Sequence, residues 1–206
     1  MGTTNGAADG ITIVPRHAVA GLGHKAPSDK LNIVGVGVGG MGNGNIKRME
    51  TENIIGLVDV DWKYTADSGI FDRLPNAKKY KDWRVAYDEL GKEMDAVMVA
   101  TADHTHAIVA AHAMAMGKHV YVQKPLTHTV YESRLLTKLA AKNKVATQMG
   151  NQGSSLDDVS RTCEWLVNGE IGEVTKVEAS TNRPIWPQGL NTPERGDWVP
   201  ETLDWD

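Results

Sequence analysis

The apolar run Leu31 to Val36 passes directly into Gly35-Val36-Gly37-Val38-Gly39-Gly40, and Met41 to Glu50 then has helical character. Gly35, Gly37 and Gly40 fit the spacing G-x-G-x-x-G between a strand and a helix, a junction built for close approach of a phosphate. In this reading Gly35 makes the tight turn. Gly37 lets the backbone reach a pyrophosphate, and Gly40 lets helix and strand close on each other. The helix opening at Met41 aims unpaired N–H groups and its positive dipole end at the phosphates. Asp59, at the end of the next apolar run, is placed to accept hydrogen bonds from ribose hydroxyls and to repel a 2′-phosphate. The neighbouring Val60-Asp61 offers no arginine that could bind such a phosphate. These residues predict a dinucleotide site with NAD, not NADP, as cofactor, and Asp61 as a surface acid.

From Leu31 onward, strand and helix alternate with short joints, the pattern of a parallel sheet covered on both faces. Strands are expected at 31–36, 54–58, 77–81, 95–100, 119–122 and 144–148, and helices at 41–50, 84–93, roughly 106–116 and 129–143. Val109, Ala113 and Met116 form an apolar stripe with Ile108 beside it, and Gly117 closes that helix as a left-handed cap. Leu135, Leu136, Leu139 and Ala140 mark one face of the 129–143 helix. The expected fold is therefore α/β: a doubly wound parallel sheet of six strands over residues 31–153. After Gly150 the character changes. Leu156 to Asn168 reads as a helix, with Gly169 and Gly172 as its exit. Glu173 to Thr181 alternates polar and apolar residues, as a strand wet on one face does. Pro184, Pro187, Pro193 and Pro200, interleaved with Trp186, Trp198 and Trp205, then ask for a core to bury against. Residues 154–206 are expected to begin a truncated, mostly antiparallel α+β domain for substrate binding and oligomerisation.

Composition excludes more than it identifies. A net charge of −4 with no run of Lys or Arg argues against a nucleic-acid partner. No apolar segment approaches the roughly 20 residues of a membrane span. The single cysteine, Cys163, cannot form an internal disulfide and is expected to be a small buried residue on its helix. Residues 1–30 read as an N-terminal arm. Met1 to Gly10 is small and polar, with the texture of disorder, and Ile11 to His17 is an apolar stub too short to be a whole signal peptide. The stub fits a trimmed export signal and a surface arm equally, which leaves both an exported, periplasmic location and a cytoplasmic one open.

Two further segments carry chemistry. Ala100-Thr101-Ala102-Asp103-His104-Thr105-His106 follows the fourth strand, and Val122-Gln123-Lys124-Pro125-Leu126-Thr127 follows the fifth. Both fall at carboxyl ends of parallel strands, where open α/β sheets place their ligands. Together with Gly35 to Gly42 they resemble the glucose-fructose oxidoreductase / inositol dehydrogenase / MocA family, closely over Leu31 to Gly153 and more loosely beyond. The resemblance implies that Thr101, Asp103 and His104 border the nicotinamide. It further implies that Lys124 is the catalytic lysine and that Pro125, commonly cis, shapes its loop. Two departures stand out. Ala102 replaces a usual proline, and Gln123 replaces a usual glutamate, removing a negative charge beside the reactive centre. His104, His106 and Asp103 do not make a metal site, because His112 falls off their helix face and metal sites usually need three or four ligands. His106 is assigned to the helix opening. Gln148 and Asn151 could reach a ligand or simply bond within their loop.

The implied activity is hydride transfer between a sugar, cyclitol or related polyol and NAD, with Lys124 moving the hydroxyl proton. Two alternatives stay open at this point. One is an NAD-dependent glycosidase working through transient oxidation and elimination, and the other is a non-catalytic NAD-binding sensor or inactive fragment. The expected partner is a carbohydrate-like small molecule, and a full-length form is expected to be a homo-oligomer.

Overall fold

Strand residues alternate between two apolar layers, and that alternation builds the molecule. The computed structural model describes residues 29–182, 189, 191 and 201–204. Its sheet comprises β1 (Asn32–Val36), β2 (Asn53–Val58), β3 (Lys78–Tyr80), β4 (Ala96–Val99), β5 (His119–Gln123) and β6 (Thr147–Gly150). They lie in the order β3-β2-β1-β4-β5-β6, each neighbouring pair parallel. The helices are α1 (Met41–Met49), α2 (Trp62–Asp67), α3 (Ile70–Arg73), α4 (Trp83–Leu90), α5 (His106–Ala115), α6 (Val130–Asn143) and α7 (Asp157–Val167).

In β1, Ile33 faces a layer with Val38, Ile46, Leu57, Ile70 and Met98. Val34 and Val36 face the opposite layer, with Val97, Val99, Val109, Leu90 and Met114. β4 repeats the pattern, Met98 on one side and Val97 and Val99 on the other. Side chains of alternating direction on a sheet buried on both faces account for the nearly continuous apolar runs in these strands. Each such residue, fully buried, stabilises the fold by about 1.5–3 kcal/mol. A ring cluster closes one side of the sheet. His112 stands edge-on to Trp83 and Tyr87 at centroid distances of 5.3 and 5.6 Å, which makes it a packing residue.

Local chemistry sets the element ends. Asp61 caps α2 by accepting from the Tyr64 N–H, and Asp82 caps α4 by accepting from the Arg84 N–H. Thr129 and Glu132 form a reciprocal capping box at the start of α6. Gly117, at φ 75°, takes the left-handed position after α5. Among the described residues, no helix is long and apolar enough to cross a membrane.

Several expectations are corrected. Lys144 holds the left-handed cap of α6 (φ 53°), so the last strand begins at Thr147 instead of residue 144. Ile108 is 61% exposed, on the outer side of α5, because its neighbours Ala107 and Val109 take the inward positions. Cys163 is exposed, since α7 buries none of its residues. No strand forms over 173–181. Those residues are exposed, and a strand without a paired neighbour leaves its backbone groups to water. The glycine exit does hold, Gly169 and Gly172 both lying at φ 73°. The arm at 1–28 and Pro184, Trp186, Pro187, Pro193, Trp198, Pro200 and Trp205 lie outside the described residues.

Candidate functional site

The order of the strands reverses between β1 and β4, and the crevice at their carboxyl ends is the expected ligand position in a sheet of this kind. The glycine turn sits there in a different register from the one expected. Gly35 lies inside β1, paired with Leu57 and Met98 on its two sides. Gly37 makes the turn instead. It has φ 79°, donates its N–H to the Val58 carbonyl at 2.8 Å, and leaves a Cβ only 2.6 Å from the Ala100 backbone. The close-packing glycine is Gly42, where a Cβ would fall 1.9 Å from the Gly37 carbonyl oxygen. At Gly40 a Cβ would meet only the Tyr64 side chain, at 3.4 Å or more. The glycines that the turn and the helix packing require are thus Gly37 and Gly42. Gly35 and Gly40 do not play the turn and packing parts, because β1 continues through Val36 before the chain turns. Gly40, with no side-chain cap, precedes α1, whose first turn carries no acid, and Met41 is exposed at that helix start. The helix's own first turn therefore offers an approaching anion no competing carboxylate.

Asp59 ends β2 beside this turn. Its Oδ2 accepts from the Gly39 N–H at 2.9 Å and its Oδ1 from the Asp61 N–H at 3.1 Å. The carboxylate is therefore oriented by two backbone donors, with lone pairs remaining for further donors. Asp61 is a helix cap and not merely a solvated acid. A cleft of about 760 Å³ opens along these residues, and Gly37, Asp59, Tyr64, Trp83, Thr101 and His104 belong to its wall. Tyr64 and Trp83 carry no earlier signal. They are helix residues whose spacing alone does not reveal that they face the turn.

The other two loops meet through a residue that the motifs undervalue. His106, 1% exposed, places Nδ1 2.6 Å from the Pro125 carbonyl and Nε2 3.0 Å from the Thr101 carbonyl. Its ring thus ties the loop after β4 to the loop after β5. The one hint in the sequence is a histidine at the head of the largely apolar helix His106–Ala115, which holds one other histidine, His112. The Thr105 hydroxyl donates toward Thr101 Oγ1 and the Ala102 carbonyl, bracing a short 3-10 turn at Asp103–Thr105. His104 faces the cleft, whereas Asp103 is exposed beside it.

Lys124 follows β5 directly and is joined to Pro125 by a cis peptide bond. Among the described residues it is exposed, as is Pro125. Gln123, at the end of β5, is buried, 5% exposed. Its Oε1 accepts from Asn45 Nδ2 and from Gln152 Nε2, each at 3.1 Å. Gln152 Nε2 also lies 3.4 Å from Asn45 Oδ1. This neutral amide cluster links the middle of α1 to the end of β5 and the turn after β6. A glutamate at position 123 could accept in this cluster but not donate, so the amide side chain suits the partners present. Gln148 bonds the Met149 carbonyl within its own strand at 2.7 Å, and Asn151 is exposed.

Comparison with known proteins now adds to this geometry. The family model described as an oxidoreductase family with an NAD-binding Rossmann fold (Gfo/Idh/MocA) matches residues 31–151. The chain belongs to that family. A glycosyl hydrolase family 109 protein from Shewanella pealeana is 26% identical over 198 residues, covering 90% of this chain and 43% of the relative. Levoglucosan dehydrogenase from Pseudarthrobacter phenanthrenivorans is 26% identical over 112 residues, 54% of this chain and 28% of the relative. Among solved structures, myo-inositol 2-dehydrogenase from Lactobacillus plantarum superposes with a TM-score of 0.63 at 18% identity. That likeness covers 70% of this chain and 43% of the other. The chain spans less than half the length of these proteins.

The residues fit the family's cofactor, NAD. The absence of a Cβ at Gly37 and Gly42 lets the turn, α1 and the Ala100 backbone close on one another, α1 begins there without a side-chain cap, and Asp59 stands beside the turn with its carboxylate oriented by two backbone donors.

Proposed function

We propose that the protein carrying this chain is an NAD-dependent oxidoreductase acting on a carbinol carbon of a sugar, cyclitol or related polyol. Gly37, Gly39 and Gly42 hold the pyrophosphate with the start of α1, and Asp59 accepts from the ribose hydroxyls. Thr101 and His104 border the nicotinamide end. NAD, when bound, supplies the hydride acceptor. Lys124 takes the hydroxyl proton at its Nζ as the carbon is oxidised, and returns it in the reverse direction. One observation carries the reading. The loop bearing Lys124 is fastened through His106 to the loop bearing Thr101, so the lysine and the cleft wall are positioned together.

The test has two stages. Calorimetric titration of the chain with NAD and NADP, beside Asp59→Ala, is expected to show NAD preferred and weakened by the substitution. Turnover of a polyol panel by the protein carrying this chain is then measured for Lys124→Ala. The expected loss in kcat is about 10²–10⁴-fold, the usual share of a positioned proton transfer. The dissociation constant for NAD should be little changed. A Lys124→Ala protein with full turnover defeats the assignment of the lysine.

A second reading has its own support. Two glycosyl hydrolase family 109 relatives align over 90% and 87% of the chain, whereas the levoglucosan dehydrogenase aligns over 54%. In that reading the same site oxidises a sugar transiently, expels its aglycone by elimination, adds water across the double bond so formed, and returns the hydride to the ketone. Product analysis separates the two: NADH accumulates in a dehydrogenase, while glycoside cleavage without net NADH marks the hydrolase.

A further inference from the structure

The adenosine side of the cleft contains a feature that the glycine motif does not account for. Residues 201–204 lie against the segment just past Asp59. Leu203 forms an antiparallel bridge with Asp61, and the Asp204 N–H donates to the Val60 carbonyl at 2.8 Å. Leu203 and Asp204 both line the cleft that holds Asp59. The charged groups on this part of the wall are Asp59, Lys81, Asp82, Arg84 and Asp204. Each of the two cations already has a carboxylate. Arg84 lies 2.7 Å from Asp82, its own helix cap, and Lys81 lies 3.6 Å from Asp204. Lys81 also stands 5.7 Å above the Trp62 ring, which limits where its ammonium can turn.

We propose that Asp204 is a specificity residue for the cofactor: docked beside Asp59, it holds Lys81 and withholds that cation from a 2′-phosphate. The inference rests on the cofactor reading above and deepens it. A 2′-phosphate needs a cation within reach, and Asp59 alone only repels it. Asp204, brought in from far along the chain, neutralises the lysine that would otherwise offset the repulsion. NAD carries no 2′-phosphate and is indifferent to the loss.

Calorimetry with NAD and with NADP at low ionic strength tests this on the unaltered chain, Asp204→Asn, Lys81→Ala and the double variant. Both side chains changed are exposed at the wall, and thermal unfolding checks that each variant stays folded. Asp204→Asn is expected to tighten NADP binding about three- to fivefold, the scale of a partly exposed ion pair. Its NAD affinity should move less than about twofold. Adding Lys81→Ala should cancel the gain, and raising the salt should shrink it. An unmoved NADP-to-NAD ratio in Asp204→Asn, or a gain that persists without Lys81, overturns the proposal while leaving NAD binding intact. An unaltered chain that binds no NAD overturns the cofactor reading and this inference with it.

Discussion

Replacing Gly42 with alanine would set a methyl carbon 1.9 Å from the Gly37 carbonyl oxygen, and backbone has no rotamer with which to step aside. The expected cost is about 1–3 kcal/mol, the range for overfilled sites, read as a lower urea midpoint, with weakened NAD binding because the turn itself must shift. Gly44, in the same helix, has nothing within 4 Å of its missing Cβ. Gly44→Ala should therefore stabilise the protein by about 0.5–1 kcal/mol, the helix-propensity difference. Equal effects at the two positions would mean that α1 does not lie against the turn as described. These glycines also show how far the sequence could be read. The string from Gly35 to Gly42 holds the spacing G-x-G-x-x-G twice, once from Gly35 and once from Gly37. Pattern alone does not choose between them. The choice depends on where β1 stops pairing, which is a property of three strands at once. Asp59 was legible because it stands at a strand end with one carboxylate role open to it. His106 was not, because its partners are carbonyl oxygens, which leave no mark in a sequence.

At the scale of elements, α5 and α6 hold the loops that carry the chemistry, and both ends can be tested. His106→Phe keeps an aromatic ring at the head of α5 but removes the ring nitrogens that face the Thr101 and Pro125 carbonyls. The expected loss is about 1–3 kcal/mol of stability for the hydrogen bond removed, together with weaker NAD binding, since the two loops are no longer tied. Unchanged cofactor affinity in a destabilised variant would restrict His106 to a purely structural part. α6 offers a test by pH. The Thr129 N–H, with that of His128, donates to the Glu132 carboxylate and holds it below the usual glutamate range. A group held lower in the folded state stabilises it above its ordinary pKa, and that contribution fades as pH falls through the folded value. Glu132→Ala should thus lower Tm at pH 7, with the gap narrowing below about pH 4, near the ordinary glutamate value. A gap constant with pH would show that the capping charge contributes nothing. The helix itself was readable over 129–143 from its apolar face at Leu135, Leu136, Leu139 and Ala140. The start of β6 was not, because Lys144 takes a left-handed backbone that glycine or asparagine would have announced.

Across the whole molecule, burial divides the chain after β6. The sheet topology was legible because buried parallel strands read as apolar runs separated by helices, and the core residues follow from that alternation. α7 followed the helical period just as clearly, yet it buries nothing in the described part of the chain, and Trp165, Val167, Ile171 and Val177 are 50%, 86%, 66% and 81% exposed. A period states which face is apolar but not what will cover it. The energetic consequence is measurable. A helix of 11 residues without tertiary support is marginal in water, where lengths below about 12–15 residues rarely persist. The β1 and β4 amides instead open only with the core, at a free energy approaching that of global unfolding. Native-state hydrogen exchange of the chain should therefore show the Asp157–Val167 amides exchanging at least about a thousandfold faster than those of Asn32–Val36 and Ala96–Val99. If α7 is instead protected like the sheet, something covers its apolar face in solution. Repeating the exchange over a hundredfold range of protein concentration then identifies the cover. Protection that falls on dilution would come from a second copy of the chain, and protection independent of concentration from the chain itself.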